Sequence, residues 1–422
     1  MDIFRRLLTR IKSLFSALDF NIKTIASAVV FAIIIPVLAG YVNKILSFKP
    51  ESLSVYVVSN FKENSSKQMK KAFKDAFDKD LFIGEVKVKL VTNLSDEGST
   101  SRAAEISRDI ANDNGSLMVV GHFSSTETKA ALPAYLDADP KVPVILTTET
   151  NPSLVPYSRA NDEFNPILRL SPDDIDQARS AAEFASNPKN GGESFWVVED
   201  TANSVYSKQL ALSFIENIRD KGKKVVLYTL ANELPDASTL QKLQIDSVFY
   251  AGEWSNALIL IRQLRAIFPT NLPTVILSDA AVDENLLTKG GEDTEGIHVM
   301  FQMSAVDYEK EKYGAYGTEA AIVVNKLIEE ADTQYNNQKR SIFQKMFIPF
   351  TVSDARESVS KAMKHHQKAE YTIDGNLNAL PFYFESSTGK KIYKKASGIE
   401  EPTYFNIWRV ENVGGKMKFV DI

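Results

Sequence analysis

The sequence predicts an α/β protein of two Rossmann-like lobes with parallel sheets, preceded by one N-terminal transmembrane helix. Three observations carry this. Strand-type apolar runs alternate with helical patterns from Ser52 to Leu146 in the order βαβαβαβ, the pattern of a parallel sheet covered on both faces. The same alternation restarts at Ser194 and runs to Leu277. Ahead of both, Thr24–Val42 is a long apolar segment without a charge.

At about 1.5 Å per residue, Thr24–Val42 nearly spans a hydrocarbon core of roughly 30 Å. Arg5, Arg6, Arg10, Lys12 and Lys23 precede it against Asp2 and Asp19, so the positive-inside bias puts the N-terminus in the cytoplasm and the bulk outside. Phe4, Leu7, Leu8, Ile11, Leu14 and Phe15 recur at helical spacing among these basic residues, as in an interfacial helix. The expected plan is a cytoplasmic basic amphipathic segment at 1–22, a transmembrane signal anchor at 23–44 and a linker at 45–51. The resulting protein is single-pass in the cell membrane, with its C-terminal domain extracytoplasmic. A cleaved signal peptide ending near Val37-Leu38-Ala39 and a buried core helix are the competing readings.

In the first alternation, strands are expected at Ser52–Val58, Val86–Val91, Leu117–Val120 and Val142–Leu146. Helices are expected at Lys67–Asp78, which turns Met69, Phe73 and Phe77 inward, and at Thr100–Asn112. A third helix carries Ala131, Leu132 and Tyr135 on one side; Ser124 and Glu127 stand at capping-box spacing before it. A turn-rich crossing, Asn151–Asn165, leads to strand Pro166–Leu170 and helix Asp173–Ala185. The second alternation reads as strand Ser194–Val198, helix Ser204–Lys221, strand Lys224–Thr229, strand Ser247–Ala251, helix Ser255–Ile267 and strand Thr274–Leu277. Strand Gly296–Gln302, helix Tyr313–Ala331, loop Ile342–Pro349 and helix Val352–Lys364 follow. The tail changes character: Phe382–Glu385, Phe405–Val410, Asn412–Lys416 and Met417–Val420 look like short antiparallel strands of a small appendage.

Composition narrows the function. A net charge of -5 with 24% charged residues gives no basic balance pointing to nucleic acid. The absence of cysteine excludes disulfides, thiolate metal sites, cysteine nucleophiles and a lipid anchor on an N-terminal Cys. His122, His298, His365 and His366 match no metal motif, so neither metal nor cofactor is expected. No G-x-S-x-G, Walker or H-E-x-x-H motif occurs in a supporting context, and catalysis is not expected.

The stretch Leu117–Pro152 is the clearest candidate site. It holds two hydroxyl-rich loops at the carboxyl ends of adjacent strands, the edge where open α/β sheets bind ligands. The first loop opens a helix, whose free N–H groups and partial positive charge suit a carboxylate or phosphate.

Several segments in order resemble the periplasmic-binding-protein type I superfamily, in particular the branched-chain amino acid (Leu/Ile/Val) substrate-binding proteins of ABC transporters. They are GHFSSTETKAALPAY (121–135), VPVILTTETNP (142–152), LRLSPDD (168–174), VYSKQLALSF (205–214), IDSVFYAG (245–252), ALILIRQLR (257–265), TEGIHV (294–299) and YGAYGTEAAIVV (313–324). The resemblance implies two lobes joined by three crossovers, the first at 52–170 plus 300–350 and the second at 171–299 plus 351–422. It implies a ligand carboxylate held by Ser125, Thr148 (mainly through its backbone) and Thr150. Asp279 would hold an ammonium group, Tyr206 would lie over the ligand, and Trp254 would line the same wall. Each residue also has a structural role open to it: a helix start for Ser125, a turn for Thr150, an N-cap for Asp279, core or rim packing for Tyr206 and Trp254. Two stretches depart from the family pattern, the charged loop Ser59–Asn64 after the first strand and Glu253 ahead of Trp254, and they leave the ligand open.

The function this implies is a membrane-anchored extracytoplasmic solute-binding protein. It would capture a small amino acid or carboxylate-like ligand and deliver it to an ABC permease. The alternative is a ligand-sensing or partner-regulating module of the same fold, read by a membrane sensor protein.

Overall fold

The computed structural model describes residues 50–155, 166–337, 350–366, 383–385, 391–393 and 405–422. The segments expected to form the amphipathic leader and the transmembrane anchor, the end of the crossing Asn151–Asn165, and the loop Ile342–Pro349 lie outside them. Among the described residues, no helix is long and apolar enough to cross a membrane.

Two sheets organise the chain. The first contains β1 (Leu53–Ser59), β2 (Phe82–Ile83), β3 (Val86–Val91), β4 (Ser116–His122), β5 (Val144–Leu146) and β6 (Ile167–Arg169). The second contains β7 (Ser194–Glu199), β8 (Lys224–Leu230), β9 (Ser247–Ala251), β10 (Thr274–Leu277) and β11 (His298–Phe301). Of the C-terminal strands, β12 (Tyr383–Glu385) and β13 (Lys391–Tyr393) join the first sheet, while β14 (Asn406–Val413) and β15 (Lys416–Asp421) join the second. The orders are β13-β12-β6-β5-β4-β1-β3-β2 and β15-β14-β11-β10-β9-β7-β8. The strands from β6 through β3 and from β11 through β8 are parallel, with antiparallel additions at the edges.

This order places the site. In the first sheet the chain winds outward from β1 in one direction through β3 and in the other through β4 to β6. In the second it winds outward from β7 in the same way, through β8 on one side and β9 to β11 on the other. A crevice opens where winding reverses, outside the carboxyl ends of the two flanking strands. Those ends are Ser59 and His122 in one sheet, Glu199 and Ala251 in the other.

The central strands are buried on both faces, which is why they read as continuous apolar runs, while β3 near the edge alternates. Residues Leu117–Val120 are fully buried, as are Phe195–Val198 and Val248–Ala251. Helices Thr100–Asn112 and Ser125–Asp137 cover one side of the first sheet through Ile106, Ile110, Ala131 and Tyr135. Helix Asn64–Ala76 lies so close to helix Gly314–Asn337 that a Cβ on Gly317 would stand 2.1 Å from the Met69 carbonyl oxygen.

Three local expectations change. The helix expected over Lys67–Asp78 runs over Asn64–Ala76, because the polar residues of the preceding loop already form its first turn. The separate strand expected at Asn412–Lys416 does not form: Asn412 and Val413 end β14, Lys416 starts β15, and Gly414 and Gly415, with φ of 63° and 83°, make the turn between them. Two successive left-handed residues are what a two-residue hairpin turn requires. The tail also divides between the sheets. Helix Val352–His366, expected with the second lobe, is tied to the first. Its Arg356, 3% exposed, donates from Nε to the Ser116 carbonyl at 2.8 Å and from Nη1 to the Pro140 carbonyl at 3.0 Å. A buried guanidinium needs acceptors, and the edge of β4, the loop before β5 and the Ala111 carbonyl (3.5 Å from Nη2) at the end of helix Thr100–Asn112 supply them here. Arg356→Met keeps the apolar stem and strands these carbonyls. It is expected to cost about 3 kcal/mol, read as a lower midpoint of thermal unfolding.

Candidate functional site

A cavity of about 680 Å³ lies between the carboxyl edges of the two sheets, within the size range of small-molecule sites. Ser125, Thr148 and Thr150 line it from the first sheet, and Tyr206, Trp254 and Asp279 from the second. All six residues singled out in the sequence therefore border one space.

On the first side, β4 has Gly121 just before its last residue; its φ is 118° and its Cβ position would lie 2.1 Å from the Val58 carbonyl oxygen. Only glycine lets β4 run this close to β1 before the chain turns into the loop. Helix Ser125–Asp137 then starts at the cavity. Its expected capping box does not form: Ser124 makes no side-chain cap to the backbone, and its hydroxyl donates instead to the Glu127 carboxylate. The first-turn N–H groups thus keep no side-chain cap, and Ser125, 3% exposed, sits at the opening of the helix.

The loop after β5 is held by a residue that the sequence did not single out. Glu149 is 1% exposed. Its carboxylate accepts from the backbone N–H of Phe123 at 2.9 Å, Thr147 at 2.6 Å and Thr148 at 2.9 Å, and from the Thr128 hydroxyl at 3.2 Å. Burial raises its carboxyl pKa, while these backbone donors oppose the rise. The Thr148 N–H, expected to face a ligand carboxylate, is therefore engaged by the chain's own carboxylate. The Thr148 hydroxyl donates to the Phe123 carbonyl at 2.9 Å, tying the two loops together. Thr150 is buried, and its carbonyl accepts from Nη1 of the fully buried Arg169 at 3.2 Å.

The second side uses the same device. Asp200, fully buried after β7, accepts from the Ala202 N–H at 3.0 Å, the Glu253 N–H at 3.0 Å, the Tyr250 hydroxyl at 2.6 Å and Asn256 at 2.9 Å. It fixes the loop after β7 against the start of helix Trp254–Ile267. Trp254 opens that helix, half-buried, with the Lys289 ammonium 4.8 Å from its ring centroid. Tyr206, in the first turn of helix Ser204–Asp220, donates its hydroxyl to Asp279 Oδ1 at 2.5 Å. Asp279 begins a short 3-10 turn after β10, and the N-cap there is Ser278. Burial pushes the Asp279 carboxyl above the usual carboxylate range, and the Tyr206 hydrogen bond works against the rise. Behind it, the fully buried Asp174 carboxyl is raised well above its ordinary value by burial, and by Asp279 in turn.

Hydrogen bonds between described residues cross the cleft from Thr126 Oγ1 to Asn203 Oδ1 at 2.6 Å and from Asn151 Nδ2 to the Val205 carbonyl at 2.5 Å. His122 also reaches the cavity wall, but both ring nitrogens are engaged, with Asp96 at 2.9 Å and the Tyr135 hydroxyl at 3.1 Å. The arrangement offers hydroxyls and a helix start on one wall and a carboxylate with a phenol on the other. That is a binding geometry for a polar solute with separated charges.

A family model described as periplasmic binding protein matches residues 53–321. No curated protein matches the sequence. Among solved structures, a leucine binding protein from Thermotoga maritima superposes with a TM-score of 0.66 at 17% identity, over 87% of this chain and 97% of that one. An ABC transporter substrate-binding protein from Desulfitobacterium hafniense in complex with Leu gives 0.61 at 15% identity, over 88% and 100%. A solute binding protein of an ABC transporter from Rhodopseudomonas palustris, in complex with p-hydroxybenzoic acid, gives 0.60 at 14% identity, over 88% and 96%. At these identities the likeness is one of fold.

Proposed function

Because the chain belongs to the periplasmic binding protein family, we propose that it is an extracytoplasmic solute-binding protein of the ABC-transporter type, anchored in the membrane by residues 23–44. It captures a small amino acid or carboxylate-like solute between its two layers and presents it to a permease. The observation that carries this reading is the cavity lined from the switch-point loops of both sheets. Ser125, Thr150 and the uncapped first turn of helix Ser125–Asp137 take the solute's carboxylate. Asp279, steadied by Tyr206, takes its ammonium group, and Trp254 closes the wall. Both charged ends lose water together, so each needs its own charge-assisted partner.

A solute that touches both layers favours the closed arrangement over the open one by its differential contacts. Thr126–Asn203 and Asn151–Val205 are the protein's own contacts across the same cleft. The anchor supplies proximity to a membrane partner, as the apolar run Thr24–Val42 and its basic leader suggest.

Thermal-shift screening of the protein with amino acids, amides and carboxylates tests the proposal. A solute present at about 100 times its dissociation constant is expected to add roughly 2.7 kcal/mol of stability. No shift across the whole panel would favour a ligand-free role toward a membrane partner.

A further inference from the structure

The charge around the cavity is unbalanced. Glu63, Glu127, Glu253, Asp279 and Asp283 all line it, and among the described residues none of the five pairs with a Lys or Arg. Among the described residues Lys62 is the one Lys or Arg that lines the cavity, and it is already 2.6 Å from Glu97. Glu127 is only 8% exposed and still meets no cation. Of the five, Glu127 alone is buried, Glu253, Asp279 and Asp283 are half-buried and Glu63 is exposed; a carboxylate as deep as Glu127 is costly unless something positive joins it.

The carboxylates come from both layers. Glu63 precedes helix Asn64–Ala76 and Glu127 lies in the first turn of helix Ser125–Asp137, both on the first sheet. Glu253 precedes helix Trp254–Ile267, and Asp279 and Asp283 follow β10, all on the second. Their repulsion therefore acts across the cleft. The Glu253 carboxyl is pushed up to about 7, first by burial and then by Glu63, Asp200 and Glu127. Glu63 is raised by burial and by Glu127, Asp96 and Asp283. On the anion side, Glu149 already occupies the Thr148 N–H, which reduces what the site offers to a negative group.

We propose that the solute of this cavity is an organic cation with separated positive charges, of the basic amino acid or diamine class, rather than a neutral or acidic solute. This rests on the solute-binding reading above and adds the sign of the ligand. A neutral zwitterion leaves the excess carboxylates unpaired on closure, and an acidic solute adds to them. A cation paired with Asp279 at one end and with Glu63, Glu127 and Glu253 at the other relieves repulsion across the cleft. Its stem has aromatic wall to lie on, at Trp254, Tyr313 and Tyr316. An extended organic cation fits better than a metal ion: among the described residues, no three His, Asp or Glu side chains are grouped to hold one.

The test uses the full-length chain in detergent, with calorimetry against L-arginine, L-lysine, putrescine, L-leucine, L-glutamate, 4-hydroxybenzoate and Ca²⁺. Binding by at least one of the three organic cations, at least tenfold tighter than by leucine, glutamate or hydroxybenzoate, is expected. That affinity falls as pH drops from 8 to 6, as Glu253, faced by Glu63, Glu127 and Asp200, takes up a proton. Glu253→Gln is expected to weaken the cation about tenfold and flatten the pH dependence, with Glu63→Gln as the second variant should the first not fold. Tighter binding of leucine, glutamate or hydroxybenzoate overturns the charge assignment and leaves the solute-binding reading standing. A response to Ca²⁺ alone overturns it in favour of a metal. Silence across every probe removes the solute-binding reading and the charge assignment together.

Discussion

Asp279→Asn is expected to reduce binding of an amine-bearing solute by about 10²–10³-fold, the effect of removing one partner of a desolvated charge pair. The substitution preserves shape, and the amide oxygen still accepts from the Tyr206 hydroxyl, which stands 2.5 Å from Oδ1. It removes only the negative charge at the end of β10. The fold should be unaffected, because the amide oxygen can still accept from the Ala280 and Asp279 backbone N–H groups that now face the carboxylate. Relief of a buried charge should even leave the ligand-free protein as stable as before or slightly more so. Calorimetry reads the affinity and thermal unfolding reads the stability. Unchanged amine binding by a folded Asp279→Asn protein would remove Asp279 from the ammonium role.

The second large effect is expected from Glu149→Ala. Three backbone N–H groups and the Thr128 hydroxyl converge on this carboxylate. Each buried donor left without an acceptor costs about 1–3 kcal/mol, so a loss of roughly 5 kcal/mol is expected. The loops after β4 and β5 would also lose their common anchor, and with it the placement of Ser125, Thr148 and Thr150. Solute binding should therefore fail even at temperatures where the protein stays folded. Calorimetry on the folded variant and its thermal midpoint check both parts. A variant as stable as the parent would mean that the loops hold together without Glu149.

Much of the fold was legible because its signal is local. Parallel strands buried on both faces appear as apolar runs such as Leu117–Val120 and Phe195–Val198, and the helices between them repeat at 3.6 residues. The tail was less legible. Val352–His366 has a helical pattern, yet its layer is decided by where a buried Arg356 finds carbonyl acceptors about 240 residues earlier, which no window of sequence contains. The hairpin β14–β15 turned on Gly414-Gly415, a pair that an apolar count across Asn412–Lys416 passes over.

The site divides in the same way. The resemblance to the periplasmic-binding-protein family implied Ser125, Thr148, Thr150, Tyr206, Trp254 and Asp279, and the cavity borders all six. Glu149 and Asp200 were not singled out, since a carboxylate that ties its own loops together has no spacing to betray it. Glu149 lies inside the stretch TTETN and was read as part of a hydroxyl-rich turn. The capping spacing of Ser124 and Glu127 was correct as spacing, but the two side chains bond to each other. The meeting of Glu63, Glu127 and Glu253 across the cleft depends on three loops far apart in sequence, which only the folded chain brings together.

A crystal structure of the chain with its tightest-binding solute tests the central claim most directly. The expected result places the solute in the cavity of about 680 Å³, within hydrogen-bonding distance of Asp279 on one side and of Ser125 or Thr150 on the other. A solute bound outside that cavity, or touching one layer alone, would contradict it.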